Sequence, residues 1–270
     1  MPTPPKLSLS RLSSSLNDAD PTTETPDSEN VEESGTAAEG SSDPVDDNNP
    51  HTMGMSFGSI TPQDAVLDID YGRLTIVIDP GATSVALHCE NIYSKRFDFT
   101  YTENEPLTIR YKVPANCDLS SEPEPEFVLS VPDANTFHFK RLSITAAMGN
   151  VEFDNSNTIA ADSIDLDLAM GCFTGSTVQA EQFTANISMG DFDLGLLAGV
   201  ETAKVEAAMG DIDLTVDGRP DDYALDLQTS MGNVMFNGRT MSSTYTQTAA
   251  APRSVTLTAP MGDVVLTTTQ

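Results

Sequence analysis

Apolar and polar residues alternate in short runs along the second half of the chain, and each run surrounds a Met-Gly pair. Six pairs occur, with their methionines at Met148, Met170, Met189, Met209, Met231 and Met261. The methionines are 22, 19, 20, 22 and 30 residues apart, so the repeat is about 20 residues long. Counted from the methionine, positions −6, −4 and −2 are mostly apolar, as in Ala203, Val205 and Ala207. This alternation predicts a strand with one buried face.

Downstream of each methionine the apolar positions change parity. They fall at +3 and +5, as in Ile212 and Leu214 of EAAMGDIDLTVDG. A strand that changes face in mid-run must pass a bend, and the glycine at +1 can take the positive φ that such a bend needs. Each pair is therefore predicted to form a corner. In it the methionine points inward, the glycine bends the chain, and the Asn or Asp at +2 hydrogen-bonds its own turn.

The same template starts earlier, in AVLDIDYGRLTIVID, where a Tyr-Gly pair takes the place of Met-Gly. The strand-like runs LTIRYKV and FVLSVP separate this copy from the first Met-Gly pair. The predicted corner residues are Tyr71, Gly72, Met148, Gly149, Asn150, Met170, Gly171, Met189, Gly190, Asp191, Met209, Gly210, Asp211, Met231, Gly232, Asn233, Met261, Gly262 and Asp263.

A repeat of two short strands with one constant corner predicts an all-β chain, wound as a parallel β-solenoid of about six to seven coils. An antiparallel sandwich of hairpins is the alternative, but hairpins have no reason to keep one corner residue constant. We predict an acidic tail over 1–50, an irregular β part over 51–140 that caps the solenoid, and tandem repeats over 141–270, with 51–270 as one domain. The final VVLTTTQ would leave an open strand edge, through which two C-terminal coils would associate end to end, unless the segment NGRTMSSTYTQTAAAP of the 30-residue interval folds over it.

The net charge of the chain limits the classes of partner that it can bind. The net charge is −28, and 11 acidic but only 2 basic residues lie in the first 50 positions. This Ser-, Thr- and Pro-rich tail is predicted to be disordered. The remaining 30 acidic and 11 basic residues disfavour nucleic acid and anionic membrane surfaces as partners. Neither a membrane-spanning apolar run nor a signal peptide is recognised, which favours the cytoplasm.

The sequence predicts no catalytic or metal-binding site. GMSFG formally matches a nucleophile elbow at Ser56, but a strand before it and a helix after it are not indicated. Stacked methionines would offer thioethers to Cu(I), but their inward parity assigns them to the core. Calcium binding remains an alternative to turn capping as the role of Asn150, Asp191, Asp211, Asn233 and Asp263. Outward carboxylates with few cations near them argue against a polysaccharide-cleaving β-helix. We therefore expect no enzyme, no cofactor and no metal, and reduced or buried thiols at Cys89, Cys117 and Cys172.

The order of these elements resembles a known family. The segments AAMGNVEFD, ISMGDFDLG and AAMGDIDLTVDG, then DDYALDLQTSMGNVMFNG and APMGDVVLTT, are similar to the bacterial putative adhesin domain family, domain of unknown function 4097, over about residues 60–270. The resemblance implies a right-handed β-solenoid linked to the bacterial cell envelope, without enzymatic activity. The chain differs in having Met before the glycine and Cys172 at one Asx position. Two functions follow. The first is a non-catalytic binding or scaffold module for a protein or glycan ligand, and the second is an intracellular regulatory or structural protein.

Overall fold

The alternating runs of the sequence form strands, in a computed structural model that describes residues 49–57, 64–101, 106–134, 137–249 and 253–270. The side chains of residues 154–156 also lie outside this description. The prediction of a disordered tail over 1–50 falls almost wholly on residues outside the described ranges. The all-β prediction is confirmed for the part of the chain that is described.

The described ranges contain nineteen strands. The first nine are β1 His51–Ser56, β2 Asp64–Tyr71, β3 Arg73–Ile78, β4 Ala86–Ile92, β5 Phe97–Thr100, β6 Leu107–Tyr111, β7 Glu126–Val131, β8 Phe139–Met148 and β9 Val151–Met170. The others are β10 Phe173–Met189, β11 Phe192–Ala198, β12 Thr202–Met209, β13 Ile212–Val216, β14 Ala224–Thr229, β15 Val234–Phe236, β16 Arg239–Met241, β17 Thr244–Gln247, β18 Ser254–Ala259 and β19 Val264–Thr268. Short 3-10 turns occur at Ser94–Arg96, Leu119–Ser121 and Pro220–Asp222.

The strands pair in two long parallel ladders within one mixed sheet. Strands that end at a corner form the first ladder, in the order β6, β2, β8, the second half of β9, the second half of β10, β12, β18 and β14. Strands that begin after a corner form the second, in the order β7, β3, the first half of β9, the first half of β10, β11, β13, β19 and β15. We name each repeat after its corner residue, so the Met209 repeat contains β12 and β13.

The spatial order of the repeats differs from their order along the chain. Strand β18 lies between β12 and β14, and β19 lies between β13 and β15. The Met261 repeat is therefore inserted between the Met209 and Met231 repeats. This corrects the expectation of an open edge at the C-terminal coil, because both of its strands are paired on both sides. End-to-end association through that coil has no free edge to use.

Antiparallel strands lie against the outer strands of both ladders. Strands β16 and β17, which belong to the long 30-residue interval, pair with β15 and β14. At the opposite end β5 pairs with β6, β4 pairs with β7, and β1 pairs with β4. Ser56 therefore lies in a regular antiparallel strand, with its hydroxyl 3.2 Å from that of Ser84. This is not the strand-to-helix turn of a nucleophile elbow.

The hydrophobic core lies between the two ladders and is built from the predicted positions. Side chains at −6, −4, −2, +3 and +5 are almost all buried, such as Leu166, Leu168 and Phe173. Aromatic rings pack across repeats: Phe173 stacks on Phe192 with centroids 5.1 Å apart and meets Phe153 edge to face with centroids 5.0 Å apart. Each fully buried side chain of this size contributes about 1.5–3 kcal/mol. Within the described residues, no helix combines the length and the apolarity that a membrane crossing requires.

Candidate functional site

The corner methionines point outward, which corrects the predicted inward orientation. Inward alternation ends at position −2, and positions −1 and 0 are both on the outside because the chain is already turning there. In the Met170 repeat, for example, Leu168 is buried while Ala169 and Met170 are exposed. The exposed fractions are 41% for Met170, 41% for Met189, 43% for Met209, 47% for Met261 and 73% for Met231. Met148 and Tyr71 are half-buried.

These methionines form a continuous row across the repeats. In the strand register Met148 pairs with Met170, Met170 with Met189, and Met189 with Met209, and an isolated bridge joins Met209 to Met261. Tyr71 precedes the row, in register with Met148. We call the six residues Met148, Met170, Met189, Met209, Met261 and Met231 the methionine ridge.

The glycine after each methionine is required by a close approach between repeats. A Cβ atom on Gly149 would overlap the carbonyl oxygen of Gly72, and the same overlap joins each next pair up the stack. The predicted positive φ is found at five of the seven corner glycines but not at Gly232 and Gly262. The requirement common to the corner glycines is therefore steric. The alternation of apolar residues in the sequence does not reveal this requirement. The stacked pairs are Gly149 on Gly72, Gly171 on Gly149, Gly190 on Gly171, Gly210 on Gly190, Gly262 on Gly210 and Gly232 on Gly262.

The side chain at +2 bonds to the neighbouring repeat and not to its own turn, which corrects the predicted capping. Asp191 Oδ1 accepts from the Asp211 backbone N–H at 2.9 Å, and Asp211 Oδ1 accepts from the Asp263 N–H at 2.7 Å. Asp263 Oδ1 in turn accepts from the Asn233 N–H at 2.7 Å. At the other end of this ladder, Asn150 Oδ1 accepts from the Cys172 N–H at 2.9 Å.

Cys172 is the weak position in this ladder. Its Sγ atom takes the place of a side-chain oxygen and accepts from the Asp191 N–H at 3.4 Å. One side-chain oxygen of Asn150, Asp191, Asp211 and Asp263 accepts a backbone N–H of the neighbouring repeat, so the stacking of the repeats accounts for these residues. In the described ranges no group of three or more His, Cys, Asp or Glu side chains could hold a metal ion.

A shallow groove runs beside the methionine ridge. Position −1 is small in all six Met-Gly repeats, and these residues are Ala147, Ala169, Ser188, Ala208, Ser230 and Pro260. They leave a depression between the ridge and the polar row at −3. One stretch has a volume of about 170 Å³ and is lined mainly by Asn186, Ser188, Glu206, Ala208, Thr258 and Pro260. The groove crosses several repeats, so an extended ligand can lie along it.

Carboxylates surround the corner and give this side of the molecule a negative field. Asp191, Asp211 and Asp263 lie two residues after ridge methionines. On the second ladder Asp193 and Asp213 are in register on adjacent strands. Partial desolvation and the Asp193 carboxylate raise the pKa of Asp213, because both disfavour its ionised form.

A separate cluster of titratable side chains lies near the β6 end and was not foreseen from the sequence. Arg96 donates to both carboxylate oxygens of Glu122, at 2.5 and 2.9 Å, and lowers the pKa of Glu122. Arg96 Nη2 also donates to Cys117 Sγ at 2.9 Å. Cys89, Cys117 and Cys172 are all free thiols, and burial raises the pKa of Cys89 to about 12. Arg96 is 21 residues from Cys117 and 26 from Glu122 in the sequence, so residue spacing did not predict that they meet.

A comparison with protein families identifies the fold. The family model described as Toastrack DUF4097 matches residues 130–267, which is just over half of the chain. The chain belongs to the Toastrack family. The match spans all six Met-Gly repeats and confirms the family resemblance that the sequence indicated. A search of curated proteins gives no match.

Solved structures similar to this Toastrack chain come from several bacteria. A putative cell adhesion protein from Clostridium sporogenes is 10% identical with a TM-score of 0.45, over 81% of this chain and 99% of that chain. A putative adhesin from Bacteroides fragilis is 10% identical with a TM-score of 0.46, over 80% of this chain and 96% of that chain. A putative lipid binding protein from Parabacteroides distasonis is 13% identical with a TM-score of 0.39, over 82% of this chain and 97% of that chain.

Proposed function

We propose that this Toastrack chain is a non-catalytic, adhesin-like binding or scaffold module of the bacterial cell envelope, and that it meets its partner along the methionine ridge. One observation carries the proposal. Six large apolar side chains are exposed among the described residues, and five of them are ridge methionines. A contiguous exposed apolar strip with a polar border is characteristic of an interaction site. Methionine adapts its shape to a partner because its side chain is unbranched and flexible.

The charge around the ridge indicates the chemistry of the partner. The acidic residues at +2, namely Asp191, Asp211 and Asp263, border one side of the ridge, and on the other side Glu206 lies in the groove, paired with Lys204 Nζ at 2.9 Å. A partner that places Lys or Arg beside apolar side chains is complementary to this border. We therefore propose a protein partner with a basic, apolar segment. A neutral or acidic glycan offers neither feature.

The cell envelope as location is supported by membership of the Toastrack family and by the resemblance to putative adhesin domains. The second candidate is an intracellular regulatory or structural protein with the same fold. The three free thiols favour it, because cysteines remain reduced in the cytoplasm.

We propose further that the parallel ladders form a right-handed β-solenoid, wound in sequence order from the Met148 repeat to the Met209 repeat and followed by the Met261 and then the Met231 repeat. The in-register pairing of Phe183 with Ile164 and of Phe183 with Ala203 supports this winding, since both neighbours occupy the same position in their repeats. The handedness is supported by the general rule that connections between parallel strands of one sheet are right-handed.

Protease shaving of intact native-host cells tests the location. The cells carry a C-terminally tagged copy, and a cytosolic protein serves as leakage control. Loss of the tag with an intact control is expected for an envelope module. Protection of the tag would contradict the envelope proposal and favour the intracellular candidate.

Binding to a native envelope protein fraction tests the ridge. The variant Met170→Glu/Met189→Glu places two carboxylates on the ridge, and Thr174→Glu/Thr184→Glu adds the same charge at outward positions of β10 that are not part of the ridge. We expect the ridge variant to lose its bound partner and the threonine variant to keep it. Equal binding by both variants would exclude the ridge as the contact surface, and binding that resists high salt would contradict a basic partner.

A further inference from the structure

We propose that the methionine ridge is a binding site for Cu(I), held by the thioether sulfurs of methionines in adjacent repeats. This inference is independent of the envelope function proposed above. Inward methionines would have excluded such a site, but the structure places them on the outside. Met170, Met189 and Met209 form the centre of the site, since each has a register partner in the ridge on both sides.

The spacing of the repeats suits two sulfurs on one ion. Adjacent strands of a sheet lie about 4.8 Å apart, so the Cα atoms of register partners in the ridge have about this separation. Sulfur ligands bind a metal ion such as zinc at about 2.3 Å, which allows two ligand sulfurs to lie up to about 4.6 Å apart. The flexible methionine side chain covers the small difference between these two distances.

The type of residue also indicates a soft metal. Six of the 11 methionines of the chain stand at one position of the repeat. The core positions hold mainly Leu, Ile, Val, Phe and Ala. An aliphatic residue without sulfur could therefore have occupied the corner position in place of methionine. Thioethers are soft ligands that select Cu(I) over ions such as calcium and magnesium, which prefer oxygen.

Electrostatics favour a cation at this position. Thioethers are neutral, so the bound ion keeps its positive charge and needs anionic surroundings. Asp191 and Asp211 lie two residues after Met189 and Met209. Their field attracts the ion without requiring a carboxylate ligand.

Competitive titration of the full chain tests the site. Cu(I) is supplied under anaerobic conditions with ascorbate, and a chromophoric Cu(I) chelator competes for it. The ridge variant is Met170→Leu/Met189→Leu/Met209→Leu, and the matched control is Met53→Leu/Met235→Leu/Met241→Leu, which changes three methionines away from the ridge. Leucine keeps the volume and apolarity of methionine, so both variants are expected to fold.

We expect the ridge variant to lose at least about tenfold in Cu(I) affinity, about 1.4 kcal/mol, and the control variant to bind like the wild type. Two further readouts identify the ligands. Thioethers do not take up protons in water, so affinity corrected for the chelator is expected to be equal at pH 5 and pH 7, whereas thiolate, imidazole and carboxylate sites weaken in acid. Cys172→Ser is expected to bind Cu(I) like the wild type.

Four results would overturn the proposal, and the first three concern the variants and the pH. They are wild-type affinity in the ridge variant, loss of affinity in Cys172→Ser, and a marked fall in wild-type affinity at pH 5. A wild type that cannot compete with the chelator at all would overturn it as well. Circular dichroism of both triple variants separates loss of ligands from loss of the fold.

Discussion

The carbonyl oxygen of Gly190 occupies the space that a Cβ atom on Gly210 would need. The two corners can therefore stack at the spacing of hydrogen-bonded strands only because residue 210 has no side chain. The same relationship joins Gly210 to Gly262 and Gly262 to Gly232. Each corner glycine thus sets the distance between two repeats as well as the bend within one.

Gly210→Val is expected to destabilise the fold by about 3 kcal/mol or more, because the new side chain meets backbone atoms and the φ of +154° disfavours a β-branched residue. Chemical unfolding measures the difference. Gly54→Ala is the control, since the nearest atom to its new Cβ is His88 Nδ1 at 3.9 Å. Equal unfolding midpoints for Gly210→Val and the wild type would contradict the stacked corner.

Cys172→Asn is expected to stabilise the chain by about 0.5–1 kcal/mol. The change replaces a weak sulfur acceptor, 3.4 Å from the Asp191 N–H, with an amide oxygen like the one that Asn150 already provides to the next repeat. Thermal and chemical unfolding measure it, and Cys172→Ala, which has no acceptor, serves as the opposite control. Should Asn and Ala give the same stability, the ladder hydrogen bond would make no net contribution.

The ionised carboxylate of Asp213 is expected to lower the free energy of unfolding near neutral pH. Its folded-state pKa is raised above the unfolded value, so the ionised form costs the folded state free energy once the pH exceeds the folded pKa. The cost disappears as the pH falls through the folded pKa towards the unfolded one, where both states are protonated. Asp213→Asn is therefore expected to be more stable than the wild type at pH 7 and equally stable near pH 3, measured by urea unfolding. A constant difference across this range would contradict the assignment.

The inserted position of the Met261 repeat can be tested with engineered cysteines. Lys204 and Asp226 are both register partners of Thr256, on opposite sides of it. Lys204→Cys/Thr256→Cys brings two Cα atoms to about 4.8 Å, within the range of a disulfide, and is expected to cross-link on oxidation. Lys204→Cys/Asp226→Cys separates them by about two strand spacings and is expected to stay reduced. The reverse pattern would mean that the repeats follow their order in the sequence.

The all-β class, the repeat and the buried positions could be read from the sequence because alternation with period two reports directly which side chains face the core. The orientation of Met170 could not, because it shares the parity of Leu168 although the strand has already begun to turn. The steric reason for glycine at position 210 could not be read from the sequence either, since the atom that excludes a side chain there belongs to another repeat. The insertion of β18 beside β12 could not be inferred, because closely similar repeats specify which side chains match but not which copy is the neighbour.

The insertion of β18 and β19 has a consequence for synthesis of the chain. Strands β14 and β15 emerge from the ribosome before the pair β18 and β19, which supplies their parallel partners in the described part of the chain. Until residues 254–268 are available, the growing stack ends at β12 and β13, and β14 and β15 lack the parallel strands on which they stack in the final fold. Folding of this end is therefore bound to wait for the last repeat, and any pause in translation before it leaves strand edges exposed to other chains.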